Sequence, residues 1–272
     1  MVSVDYSPLD RPEISMNSFY PRQNWTATPD GAEDHTVTVE GGINLSCRFF
    51  PVSQENPTIL FFYGNGETAA DYDNIAPIYN QVGVNLFVAD YRGYGNSGGS
   101  PAFQAMLSDA REVLTALRQF LQSSGYTGSI FVMGRSMGRH AAFELAANCQ
   151  DQIEGLIIES GRPTLGQFTH GLPDDQASTL EAAYKAKVRS IDMPVLVIHG
   201  EADTLAPLKD ATRMFQEFPS AKKTLLTIPG AGHNDLLYLG INEYFAAIVD
   251  FVSPAIRVRE TSAQRRTSPF PL

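Results

Sequence analysis

Short apolar runs alternate with longer amphipathic stretches over most of the chain. The apolar runs predict strands at Thr58–Tyr63, Val84–Asp90, Ser129–Met133, Ile153–Glu159, Pro194–His199 and Lys223–Ile228. Apolar residues at helical spacing predict helices between them, near residues 68–81, 103–123, 136–149, 205–217 and 235–252. Strands that are apolar throughout and separated by helices are typical of a parallel sheet covered on both faces. The pattern therefore predicts an α/β fold.

Three regions depart from this alternation. Thr36–Val39 and Leu45–Phe50 flank a turn with two glycines and predict a β-hairpin. Residues 160–191 are rich in Gly and Pro in their first half and helical in pattern over 176–188. We expect them to form a short cap insertion and not a separate domain. Residues 1–35 are rich in Pro, Asn and Asp and have no clear period, which favours an extended lead-in.

Composition and charge narrow the possibilities further. The chain has 272 residues, of which 43% are hydrophobic and 18% are charged, enough for a large folded core. We expect one domain over residues 36–254 and a flexible tail over 255–272. The net charge of -10 would repel phosphate backbones, so nucleic acid is not an expected partner. Cys47 and Cys149 lie in apolar stretches and are expected to be buried free thiols.

The sequence carries no pattern of a targeting or membrane segment. Its first residues lack a basic segment followed by an apolar run, which a secretion signal would show. No stretch approaches the ~20 apolar residues that a membrane helix needs. We therefore expect a cytoplasmic protein with no integral membrane segment. The oligomeric state is left open.

No motif predicts a cofactor or a metal. Gly93, Gly95 and Gly98 fit the G-x-G-x-x-G spacing after a predicted strand, but Gly99-Ser100-Pro101 comes before any helix. A dinucleotide site needs the helix to begin within the motif, so nucleotide binding is not expected. The five histidines form no cluster with metal-ligand spacing, and two cysteines are too few for a structural zinc site.

A G-x-S-x-G sequence at residues 134–138 follows the strand Ser129–Met133 and opens the next predicted helix. In this context the serine is expected to sit on a tight, strained turn that presents its hydroxyl above the sheet. Glycines on either side leave room for the neighbouring strand and helix. The pattern indicates Ser136 as a nucleophile. The alternative is a glycine-rich turn that only packs a helix on a strand.

A serine nucleophile needs a base, and the base needs an acid that orients it. His233 lies in a glycine-rich loop after the last predicted strand, a position that favours a base over a surface histidine. Asp203 follows the strand Pro194–His199, where α/β sheets place reacting groups, and is the predicted acid. Glu159 and Glu201 are the rival acids. Asp203 could also cap the following helix.

Acyl transfer also needs two amide donors for the negatively charged oxygen of the tetrahedral intermediate. One is expected to be the Met137 N–H, directly after the nucleophile. The other is expected in the loop Tyr63–Glu67, where two glycines free the backbone, and we assign it to the Asn65 N–H. The alternative for this loop is an ordinary strand-to-helix turn.

Six stretches carry a resemblance to a known family. They are FFYGNG at 61–66, ADYRGYGNSGGSP at 89–101, GRSMG at 134–138, IIES at 157–160, PVLVIHGEADTLAP at 194–207 and PGAGHNDL at 229–236. They resemble the branch of the α/β-hydrolases that contains the bud-emergence-type hydrolases and related protein depalmitoylases, and the resemblance covers roughly residues 36–252. It implies an eight-stranded, mostly parallel sheet. It also supports a triad and an oxyanion hole at Ser136, Asp203 and His233 and at Asn65 and Met137.

The resemblance implies hydrolysis of carboxylic esters or thioesters, including removal of acyl groups from proteins. Two residues depart from it. Relatives usually carry His where this chain has Tyr63, and smaller residues are commoner where it has Arg139, which could narrow the pocket or contact an acidic substrate. The first residues lack the hydrophobic anchor of some relatives and the cysteine cluster of the depalmitoylases. This difference disfavours a membrane-bound depalmitoylase.

The sequence therefore predicts a carboxylesterase- or thioesterase-like serine hydrolase that acts on small soluble acyl substrates through an acyl-enzyme. A serine peptidase or amidase of the same fold and a catalytically silent hydrolase fold used for binding are the alternatives. The cap offers few large apolar residues: Leu165, Phe168, Leu172, Leu180, Tyr184 and Val188. Each buried methylene contributes roughly 0.8 kcal/mol, so a shallow pocket should favour acyl chains of roughly two to six carbons.

Overall fold

A computed structural model describes the backbone of residues 4–266 and the side chains of residues 4–253. The strands are β1 (Glu33–Val39), β2 (Ile43–Phe50), β3 (Thr58–Phe62), β4 (Asn85–Ala89), β5 (Ile130–Arg135), β6 (Gly155–Glu159), β7 (Val195–Gly200) and β8 (Lys223–Ile228). They form one sheet in the order β1-β2-β4-β3-β5-β6-β7-β8. β2 pairs antiparallel with β1 and β4, and the other neighbours pair parallel. The predicted mostly parallel, eight-stranded α/β sheet is confirmed.

Except for α1, the helices also follow the sequence pattern. Within the described residues they are α1 (Pro12–Ser18), α2 (Ala76–Gln81), α3 (Phe103–Ser123), α4 (Arg139–Asn148), α5 (Asp174–Arg189), α6 (Leu208–Glu217) and α7 (Leu236–Arg266). α3 has the predicted bounds, and the residues that it buries recur at helical spacing. The predicted helices therefore form where an apolar face can be packed against the sheet.

The strand order brings the loops of interest to one edge. β3, β5, β6, β7 and β8 are neighbours and run in the same direction, so their carboxyl ends lie side by side. Every residue of β3, β6 and β7 is buried, as expected for strands covered on both faces. Parallel sheets bind ligands at the edge where these strands end.

The predicted hairpin and the two free thiols are confirmed. β1 and β2 pair from Glu33 with Phe49 to Val39 with Ile43. Gly41 in the turn has a φ of 80°, which glycine adopts without the strain that a Cβ would add. Both cysteines are free and buried.

The beginning of the chain differs from the extended lead-in predicted for residues 1–35. It contains a short 3-10 turn, helix α1 and the start of β1. The ring of Tyr6 lies 5.4 Å from that of Phe103, and the ring of Phe19 lies 5.1 Å from that of Phe168. The segment folds because its apolar side chains join the core; those buried are Tyr6, Leu9, Ile14 and Phe19.

The insertion between β6 and β7 packs onto the helices beneath it. It contains a 3-10 turn at Gly166–Thr169 and α5, which includes the helical stretch predicted for 176–188. α5 contacts α4 and α6. The six large apolar residues that the sequence analysis named in it are all buried, namely Leu165, Phe168, Leu172, Leu180, Tyr184 and Val188. The domain boundaries at 36–254 and the capping role of 160–191 stay predictions.

One stretch of α7, Leu236–Ser253, is long and apolar enough to cross a membrane by length and composition, with a mean hydropathy of 1.3. The expectation that no stretch would meet this criterion is wrong, because the apolar residues of α7 are more continuous than the pattern suggested. α7 contacts β7 and β8, and core helices pass the same criterion. The absence of an integral membrane segment stays a prediction. The tail predicted for 255–272 lies outside the residues whose side chains are described.

Candidate active site

Ser136 stands where β5 ends and a short 3-10 turn leads into α4. Its φ is 49°, in the left-handed region that residues other than glycine rarely adopt. A Cβ at Gly134 would lie 2.7 Å from Ala142 Cβ, and one at Gly138 would overlap the carbonyl of Phe62. The two glycines therefore let the helix pack directly on the strands, and the serine takes the strained turn that the motif predicts.

Three of the predicted site residues form one continuous chain of hydrogen bonds. The Ser136 hydroxyl lies 2.8 Å from His233 Nε2, and His233 Nδ1 lies 2.7 Å from Asp203 Oδ2. Beside an ionised Asp203, Nδ1 carries the proton and donates it to the carboxylate, which leaves Nε2 free to accept from the serine. This is the tautomer that a histidine general base requires.

Asp203 is buried, and both of its oxygens accept hydrogen bonds. Oδ2 accepts from His233, while Oδ1 accepts from the N–H groups of Leu205 and Ala206 at 2.9 and 2.8 Å. Burial acts to raise the pKa of Asp203, but the hydrogen bonds from His233 and Ala206 outweigh it and lower this pKa below its usual value. α6 begins at Leu208 with no side-chain cap, so Asp203 closes a turn in the preceding loop and does not cap the helix.

The rival acids are placed differently. Glu159 accepts a hydrogen bond from Arg135 Nε at 3.0 Å. Glu201 is exposed. Among the residues that the structure describes, Asp203 is the only carboxylate within hydrogen-bonding distance of His233 Nδ1. The geometry therefore selects Asp203 as the partner of the histidine.

The loop after β3 brings Asn65 next to the elbow. A Cβ at Gly138 would lie 2.7 Å from the carbonyl of Tyr63, so this loop and the elbow turn are in direct contact. Within the described part of the chain, neither the Asn65 N–H nor the Met137 N–H donates to another protein group. Two unpaired amides on adjoining loops can supply the donors that an oxyanion hole needs.

The Asn65 side chain is held by the N-terminal segment and by the loop after β4. Its amide group donates to the Ser18 carbonyl at 2.8 Å. Its Oδ1 accepts from the Tyr20 N–H at 2.9 Å and from the Tyr94 hydroxyl at 2.6 Å. These bonds fix the loop that carries the Asn65 N–H. The sequence pattern gave no sign of this role for the residues before β1.

Tyr63, where relatives usually carry His, is the first residue of the same loop and is fully buried. Its hydroxyl donates to Asp90 Oδ1 at 2.6 Å, and its carbonyl accepts from the Tyr91 hydroxyl at 2.7 Å. Burial raises the pKa of Asp90 to about 6 although the bond from Tyr63 acts to lower it. The phenol thus ties the loop after β3 to the loop after β4. That second loop contains the G-x-G-x-x-G spacing, and between the end of β4 and Phe103, a stretch that the structure describes in full, no helix begins.

Arg139, the other residue that departs from the family pattern, has its guanidinium bound to the protein's own backbone. It is buried, and its guanidinium donates to backbone carbonyls. The acceptors are the carbonyls of Ser136, Arg162 and Thr164, at 2.7, 2.9 and 2.8 Å. Burial lowers the pKa of Arg139 to about 10. The long side chain folds back over the elbow and joins it to the base of the cap, which is a structural role.

Arg135 is the site residue that the sequence pattern did not single out. It occupies the variable position before the serine of G-x-S-x-G, and its side chain is only 11% exposed. A charged residue at the end of an otherwise apolar strand was the available signal, because burying a charge is unfavourable unless partners are built around it.

Metal-ligating side chains are not clustered in the described residues: no group of three His, Cys, Asp or Glu is placed to hold an ion. His199, the second imidazole near Asp203, lies with its Nε2 2.7 Å from the Ala206 carbonyl. Burial lowers the pKa of His199, so this ring is neutral near pH 7 and donates to that carbonyl.

Known proteins resemble this chain in sequence. The model of the family described as serine aminopeptidase, S33, matches residues 53–167 and 167–237. Protein bem46 of Schizosaccharomyces pombe is 31% identical over 209 residues, which are 74% of this chain and 68% of that protein. Alpha/beta hydrolase domain-containing protein 17C of Xenopus tropicalis is 29% identical over 233 residues, 82% of this chain and 71% of that protein.

Solved structures show the same fold. The Pyrococcus furiosus esterase Pf2001 gives a TM-score of 0.69 at 18% identity, over 86% of this chain and 98% of that chain. At this identity the likeness concerns the fold alone. The match to the family model, in contrast, extends over the loops that hold Ser136, Asp203 and His233. The chain therefore belongs to the family described as serine aminopeptidase, S33, within the α/β-hydrolase superfamily, and is an α/β-fold hydrolase.

Proposed function

We propose that this hydrolase is a serine esterase or thioesterase that acts on small acyl substrates through an acyl-enzyme intermediate. The observation that carries the proposal is the unbroken hydrogen-bond chain from the Ser136 hydroxyl through His233 to Asp203. A serine hydroxyl is a poor nucleophile unless a base accepts its proton, and here the base lies 2.8 Å away.

The first half of the reaction transfers the acyl group to the enzyme. Ser136 Oγ attacks the carbonyl carbon while its proton moves to His233 Nε2. Asp203, whose lowered pKa keeps it ionised, stabilises the imidazolium that forms. His233 then gives the proton to the leaving oxygen or sulfur, and an alcohol or thiol departs. The acyl group stays on Ser136 as an ester.

The second half of the reaction releases the acid. A water molecule gives a proton to His233 Nε2 as its oxygen attacks the acyl carbon. The bond to Ser136 Oγ then breaks, and the proton returns to that oxygen. The N–H groups of Asn65 and Met137 stabilise the negative carbonyl oxygen in both halves, where the loss of one donor typically costs about 10²–10³ in kcat.

The packing of the cap favours short acyl groups. Each large apolar side chain of the insertion is 8% exposed or less. Phe168 is an example, since its ring centroid lies 5.1 Å from that of Phe19 and 4.8 Å from that of Phe103. Side chains that pack against one another leave little apolar surface for a substrate. The gain of roughly 0.8 kcal/mol per buried methylene should therefore end after a few carbons.

The description of the matched family favours one second candidate, a serine aminopeptidase. Such an enzyme has to bind the ammonium group of a peptide N-terminus, for which an available carboxylate is the usual partner. Glu67 and Glu159, which lie beside the loops of the site, are both paired with Arg135. This pairing supports an ester or thioester as the substrate more than an N-terminal peptide.

Assays on three substrate classes test the proposal. We would compare p-nitrophenyl esters, acyl thioesters and amino-acid p-nitroanilides with wild type and with Ser136→Ala. We expect turnover of the first two classes and a loss of several powers of ten in Ser136→Ala. A higher kcat/KM on the anilides would support the aminopeptidase. No turnover of any class, with no reaction toward a fluorophosphonate, would indicate a silent fold used for binding.

A second serine provides the matched control. Ser220 is also buried, but it lies at the opposite, amino end of β8, where its Oγ accepts from the Lys222 N–H at 3.2 Å. We expect Ser220→Ala to retain the turnover of wild type. An equal loss in both variants would show that the change acts through folding and not through a nucleophile.

A further inference from the structure

The guanidinium of Arg135 lies where the loops of the site meet. Arg135 precedes Ser136 at the end of β5, and its Nε donates to Glu159 Oε1 at 3.0 Å, at the end of the neighbouring β6. No step of the proposed reaction uses this side chain. Its remaining donors nevertheless reach the two loops that carry the oxyanion donor and the base.

Toward β3, Arg135 holds the loop of the proposed oxyanion donor. Its Nη1 pairs with Glu67, whose Oε2 accepts from the Gly64 N–H at 3.0 Å and from the Tyr72 hydroxyl at 2.8 Å. A Cβ at Gly64 would overlap Arg135 Nη1, so the glycine is what lets the guanidinium reach this loop. Asn65 follows directly, and the direction of its N–H depends on the same contact.

Toward β8, the same guanidinium holds the histidine loop. Nη2 donates to the His233 carbonyl at 3.2 Å and to Asn234 Oδ1 at 2.7 Å. A bond to the backbone of His233 limits how far its imidazole can move relative to Ser136. Because a guanidinium is a rigid planar fork, contacts at its two ends fix both loops relative to each other.

The carboxylates keep Arg135 charged in this position. Burial acts to lower its pKa, but the negative charges of Glu159 and Glu67 outweigh burial and raise the pKa above its usual value. The guanidinium therefore keeps its charge and its donors throughout the pH range in which a histidine titrates.

We propose that Arg135 is a positioning residue that sets the separation of the Asn65 N–H and the His233 imidazole around Ser136. The inference rests on the proposed function. A lysine would keep the charge, but its single ammonium cannot serve both loops with the fixed directions of a guanidinium. A displacement of about 1 Å at a reacting group lowers turnover by about 10²-fold.

Arg135→Lys tests the inference, with Arg48→Lys as the matched control. Arg48 is also a buried guanidinium paired with two carboxylates, Asp34 and Asp73, at 2.7 and 2.9 Å, but it lies on β2. We expect Arg135→Lys to lower kcat on a short ester by about 10²-fold with little change in KM. Arg48→Lys should lower the melting temperature and leave kcat unchanged. Equal kcat losses in the two variants would overturn the inference.

Gly64→Ala tests the contact between Arg135 and the loop after β3 by changing the loop instead of the arginine. The added methyl group would displace the guanidinium from the loop, so we expect a kcat loss like that of Arg135→Lys. The double variant should lose little more than either single variant, because both remove the same contact. Fully additive losses would contradict the inference. If Arg135→Lys fails to fold, Gly64→Ala and Glu67→Gln replace it in the test. Both should lower kcat on a short ester, and Arg48→Lys should not.

The Nδ1 proton of His233 gives a readout that does not depend on turnover. Its hydrogen bond to Asp203 should place it in the far-downfield region of the proton NMR spectrum. Arg135→Lys should shift or broaden this resonance, and Arg48→Lys should not. An unchanged resonance with kcat within about threefold of wild type would overturn the inference. Wild type without ester turnover would contradict the proposed function instead, and the resonance would still decide the role of Arg135.

Discussion

Two clusters of side chains near the candidate site, a polar wall and an aromatic wall, are held together by different forces. The polar wall consists of Arg135, Glu67 and Glu159, and the aromatic wall consists of Phe19, Phe103 and Phe168. The polar wall is a mostly buried network of ion pairs and hydrogen bonds that links the loops after β3 and β8. In the aromatic wall, the ring of Phe168 in the cap lies 5.1 Å from that of Phe19 in the N-terminal segment and 4.8 Å from that of Phe103 in α3.

The two clusters contribute differently to the site: one fixes the geometry of the triad, and the other fills space. Hydrogen bonds to a guanidinium fix directions and short distances, and a triad depends on both. Packed aromatic rings are less directional, but they fill space at the density of a protein interior. We therefore expect changes in the polar wall and the triad to lower kcat at every acyl length. Changes in the aromatic wall should alter which acyl length is preferred.

The largest effect is expected from Asp203→Asn. Asparagine cannot hold the histidine in the required tautomer or stabilise the imidazolium, so kcat should fall on the order of 10⁴-fold. The dependence on acyl length should not change. Steady-state kinetics on an ester series measures both quantities. Glu201→Gln, an exposed carboxylate on the same loop, is the control and should behave as wild type. A greater loss in Glu159→Gln would move the acid to β6.

Phe168→Ala should break the aromatic wall. The side chain is fully buried, so we expect the free energy of unfolding to fall by about 3–5 kcal/mol, measured by denaturant titration. The space created should also shift the preferred ester toward longer chains. Phe143→Ala is the control, because Phe143 is equally buried but contacts Tyr184 and Phe218. If Phe168→Ala prefers the same acyl length as wild type, the aromatic wall does not determine which substrates are accepted.

Asp90 is a buried carboxylate without an ion-pair partner in the described residues, and it can be compared with the paired carboxylates of the polar wall. Unlike Glu67, it has no ion-pair partner among the described residues, and burial raises its pKa from 3.8 to about 6. Because folding raises this pKa, the stability that Asp90 contributes is present below pH 3.8 and is lost as the pH rises through about 6. Asp90→Asn removes the titration.

Denaturant titrations at about pH 4 and about pH 7 measure this effect. We expect the free energy of unfolding of wild type to fall by about 2 kcal/mol relative to Asp90→Asn over this range. A difference between the two proteins that does not change with pH would show that Asp90 titrates normally.

The smallest effect should appear in the acyl series of wild type. Each methylene that finds apolar surface adds roughly 0.8 kcal/mol, and one left in water adds nothing. We therefore expect kcat/KM on p-nitrophenyl esters to peak at roughly two to six carbons and to fall beyond them. A steady rise out to a palmitoyl ester would show that the packed aromatic wall opens to admit a long chain.

The sheet and the meeting of Ser136, His233 and Asp203 could be predicted because local patterns determine them. Apolar runs set the strands, and each of the three residues lies in the turn or loop that follows a strand. Parallel strands share an edge, so the residues after them come together. The strained serine turn was also predictable, since the glycines on either side leave room for it.

The N-terminal segment could not be predicted in the same way. Tyr6 and Phe19 show no period with their neighbours, and proline and asparagine surround them. Their partners, Phe103 and Phe168, lie far along the chain. Burial there depends on tertiary contacts, which local patterning does not contain.

The two arginines of the elbow show the same limit. Arg135 and Arg139 flank Ser136 in the sequence, yet one pairs with carboxylates and the other with backbone carbonyls. Their partners come from distant loops, so neighbouring residues do not reveal which arginine supports the site. When a strand or helix that must be buried carries a charged residue, the sequence shows only that this residue needs polar partners, and it does not show which ones.

The attachment site of a fluorophosphonate tests the central claim most directly, because this probe forms a covalent bond only with an activated nucleophile. We expect one adduct per molecule of wild type, located on Ser136 by peptide mass spectrometry. Ser136→Ala should form no adduct, and Asp203→Asn should react slowly at Ser136. An adduct at another residue, or undiminished labelling of Ser136→Ala, would contradict the account.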